Sequence, residues 1–496
     1  MNTITHFIKL YPWRLVFFAF VVIFLLYVHT RGFIPYDDGW FLFAASRMIH
    51  GEIPYKDFQY LYNPGSLYIN AFAFLLFGEN IFSSRIMAFF FSLATVATFY
   101  FLGKRLSMPF WITALVICNY LFWGPSHINF IWPVMVTILT GLVNNYLFFR
   151  GTQSKDLRYR TKVLFFTGVI AALTLILKQN FGLALFLNNI LVFAFLKEYR
   201  NLASVRIYLV GYLLVWLVQI LYFFFTNSLV IYINDMIYFM FDKILKHGML
   251  ASPYPWEYSA SYLYIIIKIL FYLSPFLIAL GALILSIRRR SKLFYFATFC
   301  LSYYALSIRP TTDYVHLAPL LSMTSISFVV LFALLKEKRN KIMLTVFVSI
   351  LAAVGLYSSF FSNYYRWHAP MIHDTTFLNN PKAQIWTSSK EAVVANQVVS
   401  YIEEKTKKND YIFIYSLSPM FYFLTDTRNP TRYDYFHPAI QTDQDVDETI
   451  QILQKRKVKL IVSDTKLSPK QSKVEAYILK NFRLTKQIDK YYFFSR

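Results

Sequence analysis

Charge is scarce in this chain and cysteine nearly absent. Asp, Glu, Lys and Arg make up 15% of its 496 residues while hydrophobic types make up 57%, a balance that excludes an ordinary soluble globule and indicates a polytopic membrane protein with an added domain. The two cysteines, Cys118 and Cys300, both lie inside apolar stretches, so no disulfide framework or cysteine zinc site is implied. There is no Gly-rich phosphate loop, no internal repeat and no low-complexity segment, and a nucleotide or nucleotide-sugar site is unsupported. Acids are scarcer than bases, and the resulting net charge of +23 would suit nucleic acid if the bases were clustered on one soluble face. Their positions follow membrane topology instead.

Apolar segments near the roughly 20 residues needed to cross a bilayer lie at 15–30, 83–102, 108–123, 130–149, 163–178, 181–196, 207–226, 262–286, 293–308, 315–335 and 341–361. They predict about 11 transmembrane helices, the first an uncleaved span because no small-residue cleavage site follows it. Segment 66–77 has about twelve apolar residues, which suits an interfacial or re-entrant helix better than a span. If it does not cross, the connections 103–107, 150–162, 197–206, 287–292 and 336–341 share a side with the N-terminus. That side then holds 20 of the 29 Lys and Arg residues before position 362 and three of the 12 acids, Asp156, Glu198 and Glu337. The positive-inside rule places it in the cytoplasm. Residues 1–361 are therefore expected to form the membrane domain, with long outer loops at 31–82 and 227–261. Residues 362–496 change character: helical periodicity at VVANQVVSYIEEKT and ETIQILQKRK alternates with strand-like YIFIYSL, VKLIVSD and a last pair around FRLTKQIDKYYFFSR, predicting a small extracytoplasmic α/β domain.

The stretch YDDGWFLFAASRMIHGEIPYKDFQYLYNPGSLYIN, 36–70, departs from the Phe, Leu and Ile of its surroundings. It concentrates Asp37, Asp38, Glu52 and Asp57 beside Arg47, His50 and Lys56, and ionisable groups held at a membrane surface are expensive unless they are used. The adjacent acids Asp37 and Asp38 precede Gly39 and the amphipathic run FLFAASRMI, which predicts an interfacial helix with both carboxylates at its N-terminus. Helix capping by Asp explains such a pair structurally. A general base at the membrane–water boundary explains it functionally, since desolvation and a second carboxylate raise one of the two pKa values. Trp40, Tyr55 and Tyr62 cluster beside the acids and are candidate walls for a sugar or isoprenoid, although Tyr and Trp also collect at interfaces without any substrate.

The acid pair after a first span, GEIPYKDF at 51–58, Tyr62-Asn63-Pro64-Gly65 and LFGENIFSSR at 76–85 together resemble the GT-C membrane glycosyltransferases, within them the branch of protein O-mannosyltransferases and aminoarabinose transferases. Weaker likeness recurs at KQNFG (178–182), RPTTDYVHLAP (309–319) and PMFYFLTDTRNPTRY (419–433). The resemblance implies a catalytic acid in the first outer loop, a sugar on a polyprenyl phosphate as donor, and inverting displacement without a nucleotide. By position Asp37 matches the family's leading Asp, and Asp38 stands where a Glu is usual. Asn63-Pro64-Gly65 replaces a common Pro-Pro.

Displacing a polyprenyl phosphate requires cations on the departing phosphate. Arg85, Lys178 and Arg309 each sit at the outer end of a predicted span and Lys268 more than a turn inside one; snorkelling anchors are the structural alternative. Asp313 and His316 share a helix face at three-residue spacing, as a buried polar pair or as substrate contacts, and Asp57 joins the substrate-binding candidates. Paired oxygen ligands expected for Mg²⁺ or Mn²⁺ are missing from the short loop 123–129, and Asp235, Asp242 and Glu257 in the second long loop are unpaired. Metal-independent chemistry without a cofactor is the expectation, with a divalent cation as the alternative. The reading is an enzyme, a hexosyl- or pentosyltransferase moving a sugar from a polyprenyl-phosphate donor to a protein, lipid or glycan acceptor, with Asp37 as general base. A flippase of lipid-linked sugars and an oligosaccharide polymerase or ligase are the alternatives. The expected location is a bacterial cytoplasmic membrane, since no endoplasmic-reticulum retention signal is present.

Overall fold

Hydropathy dictates most of the helices. The computed structural model describes residues 12–197, 199–238, 262–307, 314–362, 369–415, 417–436, 441–456 and 458–496. Each apolar segment named above falls on a helix: Pro12–His29, Ile81–Arg105, Phe110–Trp123, Pro133–Gln153, Leu157–Leu177, Gln179–Phe195, Leu202–Phe225, Tyr262–Arg288, Phe294–Ser307, Tyr314–Leu334 and Lys338–Phe361. Among the described residues, 6 helices are long and apolar enough to cross a membrane by themselves. The Gly65–Phe77 helix, over the segment expected not to cross, has 13 residues, about 20 Å at 1.5 Å per residue, against a hydrocarbon core of roughly 30 Å. Its last turns carry exposed Phe72, Leu75, Leu76 and Phe77, an apolar end suited to lie in an interface.

Contacts divide the chain into two compact units, one of 1–30, 88–216 and 251–366, the other of 31–87, 217–250 and 367–496. The first unit is helical. Its helices approach at glycines: a Cβ on Gly168 would lie 2.1 Å from the Tyr208 carbonyl oxygen, and one on Gly211 2.2 Å from that of Phe165, the close backbone contact that small residues permit between apolar helices. Polar side chains inside it pair with other helices, where no water is available to them. Asn119 Nδ2 donates to the Leu321 carbonyl at 3.0 Å, Trp123 Nε1 to that of Leu351 at 2.8 Å, and His127 Nε2 lies 2.9 Å from Ser358 Oγ.

The second unit joins the loop 31–87 to the α/β tail. A four-stranded sheet is ordered β3-β4-β6-β5, with β3 Ile412–Tyr415, β4 Leu460–Ser463, β5 Arg483–Ile488 and β6 Tyr491–Ser495; β1 Thr376–Phe377 and β2 Trp386–Thr387 form a separate two-residue ladder. The strands β3 and β4 are parallel, β4 and β6 antiparallel, and β5 and β6 antiparallel. Both parallel strands are buried along their whole length, as their unbroken apolar runs require. The crossover carries the Asp443–Lys455 helix, opened by a capping box in which Thr442 Oγ1 and the Asp445 carboxylate bond each other's backbone N–H groups. Ser388 and Ser472 cap the Ser389–Lys405 and Lys473–Asn481 helices by accepting from the Glu391 and Glu475 backbone N–H groups. The two helices, the two strands and the last strand pair expected from the tail sequence are present.

Candidate active site

The Asp37–Ile49 helix forms where the acid pair opens an apolar run, but it is not amphipathic in place: every residue from Asp38 to Arg47 is buried. The reason lies far along the chain. The Met420–Thr425 helix packs against it so closely that a Cβ on Gly39 would come within 2.6 Å of the Met420 backbone nitrogen, and Phe43 stacks on Tyr422 at 4.8 Å between ring centroids.

Tyr36 occupies the N-cap position, with no side-chain capping bond, so neither acid is the cap residue. The two acids have different surroundings. Asp38 is 1% exposed and its Oδ2 accepts from Arg85 at 2.6 Å. Burial pushes the Asp38 carboxyl up, and the Arg85 guanidinium draws part of that back. Arg85 is itself completely buried and also donates to the Gly32 carbonyl at 3.2 Å. Its guanidinium therefore anchors the helix start to the loop that leads into it. Asp37, one residue earlier, remains half-buried, at the helix end where the dipole favours an anion.

Aromatic rings enclose this end. Trp40, one turn after Asp37, lies 5.0 Å from Tyr60, 5.7 Å from Tyr62 and 5.6 Å from Tyr435. Tyr435 is pushed up first by burial and then by the Asp37 carboxylate, with Tyr62, Asp464 and Tyr36 contributing. Lys490 Nζ sits over the Tyr36 ring at 4.7 Å and bonds its hydroxyl. Tyr55 is fully buried, its hydroxyl donating to the Tyr62 carbonyl at 2.7 Å, and its positive φ of 69° marks a tight turn. Asp57, by contrast, is exposed, and its Oδ2 accepts from the Ile53 backbone at 2.7 Å. It closes the loop GEIPYKDF on itself.

A second buried charge network fastens this loop to the tail. Arg47 donates to Glu52 at 2.7 Å, to Asp434 at 2.5 Å and to the Asp57 carbonyl at 3.0 Å. Burial raises the Asp434 carboxyl to about 6 against the pull of Arg47. Arg432 bonds the Tyr55 carbonyl at 2.8 Å and Asp235 at 3.1 Å, and burial raises Asp235 to about 6 as well. Tyr435, Asp434, Arg432, Asp235 and Asp464 carried no local signal beyond the likeness at 419–433. They join the loop through tertiary contact alone.

The remaining candidates belong to the first unit. Lys178 breaks the chain between the Leu157–Leu177 and Gln179–Phe195 helices, is 8% exposed, and has its ammonium 5.6 Å from the Trp132 ring centroid and 5.3 Å from that of Phe181. Lys268 and His316 lie within the Tyr262–Arg288 and Tyr314–Leu334 helices; Arg309 and Asp313 lie outside the described residues. His127 and Asn129, in the short loop 123–129, are taken up by helix contacts, His127 with Ser358 and Asn129 with the Val28 carbonyl at 2.8 Å.

Membrane helices, a buried acid-bearing helix after the first of them and an α/β tail folded onto that loop define a polytopic helical membrane protein. No family model and no curated protein matches the sequence. The chain shares its fold with ArnT from Cupriavidus metallidurans: bound to undecaprenyl phosphate, that structure superposes with a TM-score of 0.58 at 12% identity, covering 98% of each chain. The apo state of ArnT gives 0.59 at 11% identity over the same 98% of each. The shared fold extends over the membrane helices and the α/β tail alike, since 98% of each chain is covered.

Proposed function

We propose that this protein is a membrane glycosyltransferase that takes a sugar from a polyprenyl-phosphate donor and passes it to a hydroxyl acceptor, with Asp37 as general base. The observation that carries the reading is the unlike pair of adjacent carboxylates. Asp38 is sealed in a buried ion pair with Arg85, while Asp37 stands half-buried at a helix N-terminus among aromatic rings. Two acids whose surroundings differ this much have different roles. Asp38 and Arg85 position the helix; Asp37 faces the chemistry. The ArnT fold, seen in one neighbour with undecaprenyl phosphate bound, supports a polyprenyl phosphate as the carrier.

In the step we envisage, the acceptor hydroxyl gives its proton to Asp37 and its oxygen forms a bond to the anomeric carbon. The bond from that carbon to the phosphate oxygen breaks, polyprenyl phosphate leaves with the electron pair, and the anomeric configuration inverts. The leaving phosphate is assigned to Lys178, Lys268 and Arg309, and substitution of each by Ala is expected to raise the donor KM. Arg85, with its charge shared between Asp38 and Gly32, is assigned a positioning role. Metal-independent transfer is part of the proposal.

The test is transfer of radiolabelled sugar from polyprenyl-phosphate donors by membranes containing the wild-type chain or Asp37→Asn, with and without EDTA. A general base contributes roughly 10²–10⁴-fold, and a loss of that size with donor binding intact is expected, with no effect of chelator. Continued transfer by Asp37→Asn would assign the base elsewhere. Continued lipid movement without any transfer would favour a flippase.

A further inference from the structure

Two buried polar atoms near the candidate site lack partners among the described residues. Trp40 is 4% exposed, and its Nε1–H, buried among the rings of Phe41, Tyr60, Tyr62 and Tyr435, donates to nothing. Asp464, at the C-terminal end of β4, uses one oxygen fully: Oδ2 accepts from the Ser418 hydroxyl at 2.8 Å and the Leu417 backbone at 3.1 Å. Its Oδ1 is buried and accepts from no group. Buried polar atoms of native proteins are nearly always satisfied, and an orphan requires a reason. A carboxylate oxygen left without a donor is the more costly kind.

Sequence-distant contacts set both residues around the Met420–Thr425 helix and Tyr435. Ser418, which holds Asp464, is two residues from Met420, whose backbone lies against Gly39, next to Trp40. Met420 N also donates to the Pro35 carbonyl at 3.4 Å. Tyr435 meets the Trp40 ring at 5.6 Å between centroids, and its hydroxyl is held up chiefly by burial, with the Asp37 and Asp464 carboxylates adding to that. The turn joining β5 to β6 closes the group, with Lys490 on Tyr36 and Tyr491 packed on Phe421 at 5.1 Å.

We propose that Asp464 Oδ1 and Trp40 Nε1 form a sugar-hydroxyl subsite beside Asp37, making Asp464 a specificity-determining residue contributed by the tail. The ligand must donate a hydrogen bond to the carboxylate and accept one from the indole. A hydroxyl does both, and a sugar ring presents several at fixed spacing with apolar C–H faces for the rings of Trp40, Tyr62 and Tyr435. A few placed polar groups in an otherwise aromatic lining is the usual construction of such a site. The assignment rests on the glycosyl-transfer reading for calling the sugar a substrate; the same chemistry belongs to the donor's sugar and to a glycan acceptor.

The experiment uses the full chain in lipid nanodiscs, labelled with 5-fluorotryptophan, with the Trp40 ¹⁹F resonance assigned by Trp40→Phe. Titration with n-octyl β-D-glycopyranosides is compared with n-octyl tetraethylene glycol, which has the same tail and no ring hydroxyls. The expected result is a saturable shift of the Trp40 signal with the glycosides, none with the control amphiphile, and at least a tenfold weaker response in Asp464→Ala. Asp464→Asn, which keeps the shape and the bond from Ser418, guards against misfolding and is expected to alter the order of preference among glucoside, galactoside and mannoside. An equal shift with the control amphiphile, or an unchanged response and preference in both variants, overturns the proposal. Because the binding readout needs no turnover, it stands even where transfer itself is not observed. Where transfer is observed, a rise in donor KM in Asp464→Asn assigns the subsite to the donor sugar, and a rise in acceptor KM assigns it to the acceptor.

Discussion

At the scale of the residue, two adjacent aspartates acquire opposite characters from one arginine. Arg85 takes Asp38 out of reach of water and leaves Asp37 at the surface of the same helix start. Replacing Arg85 with Ala strands a buried carboxylate, and the expected cost is about 3–5 kcal/mol, measured as a fall in the thermal midpoint of the chain in detergent. Removing both charges together, as Asp38→Asn with Arg85→Met, is expected to recover most of that loss, since a buried ion pair is worth little more than a well-packed neutral one. Full stability in Arg85→Ala alone would show that the pair does not hold the helix. Asp37→Asn is expected to leave stability unchanged while lowering transfer by roughly 10²–10⁴-fold. The sequence marked both acids and Arg85, but it distributed their roles by position in a motif. The ion pair joins residues 47 apart in sequence, and nothing local indicates which of two neighbouring acids an arginine that far away will take.

At the scale of the element, the Asp37–Ile49 helix depends on the tail. Its amphipathic pattern predicted one wet face, yet the Met420–Thr425 helix covers it, and the sheet beneath that helix supplies Asp464. Gly39→Ala places a methyl where the Met420 backbone stands, so the two helices must separate. Destabilisation of about 1–3 kcal/mol is expected for such overpacking, together with loss of transfer, and a melting curve like that of the wild type would contradict the contact. Charge makes a further prediction here. Asp434 is raised by burial to about 6 in the folded chain, above its unfolded value near 3.9, so between roughly pH 4 and 6 the native state binds more protons than the unfolded state. Stability from this group is present at low pH and is lost as pH rises through about 6, by roughly 3 kcal/mol at 1.36 kcal/mol per pH unit. Thermal midpoints measured from pH 4 to 7 should fall more steeply in the wild type than in Asp434→Asn; parallel curves would place the titration elsewhere.

At the scale of the whole molecule, the distribution of Lys and Arg predicts a topology that labelling can read. In a chain with Cys118 and Cys300 replaced by Ser, Arg289→Cys is expected to react with a membrane-impermeant maleimide from the cytoplasmic side alone, and Gln487→Cys from the outer side alone. The reverse pattern would invert the orientation. What the sequence determined by itself is what depends on neighbours in sequence: helix positions from unbroken hydropathy, the short Gly65–Phe77 helix from its length, the alternating helices and strands of the tail from their periods and caps. The tertiary structure alone decided how residues far apart share one environment. It joined the loop 31–87 to the tail, sealed Asp38 with Arg85, set Arg47 on Asp434, and brought Tyr435 and Asp464 to Trp40. Periodicity specifies which face of a segment is apolar. Burial and charge pairing belong to whatever segment comes to lie against that face, and a chain of this length offers many.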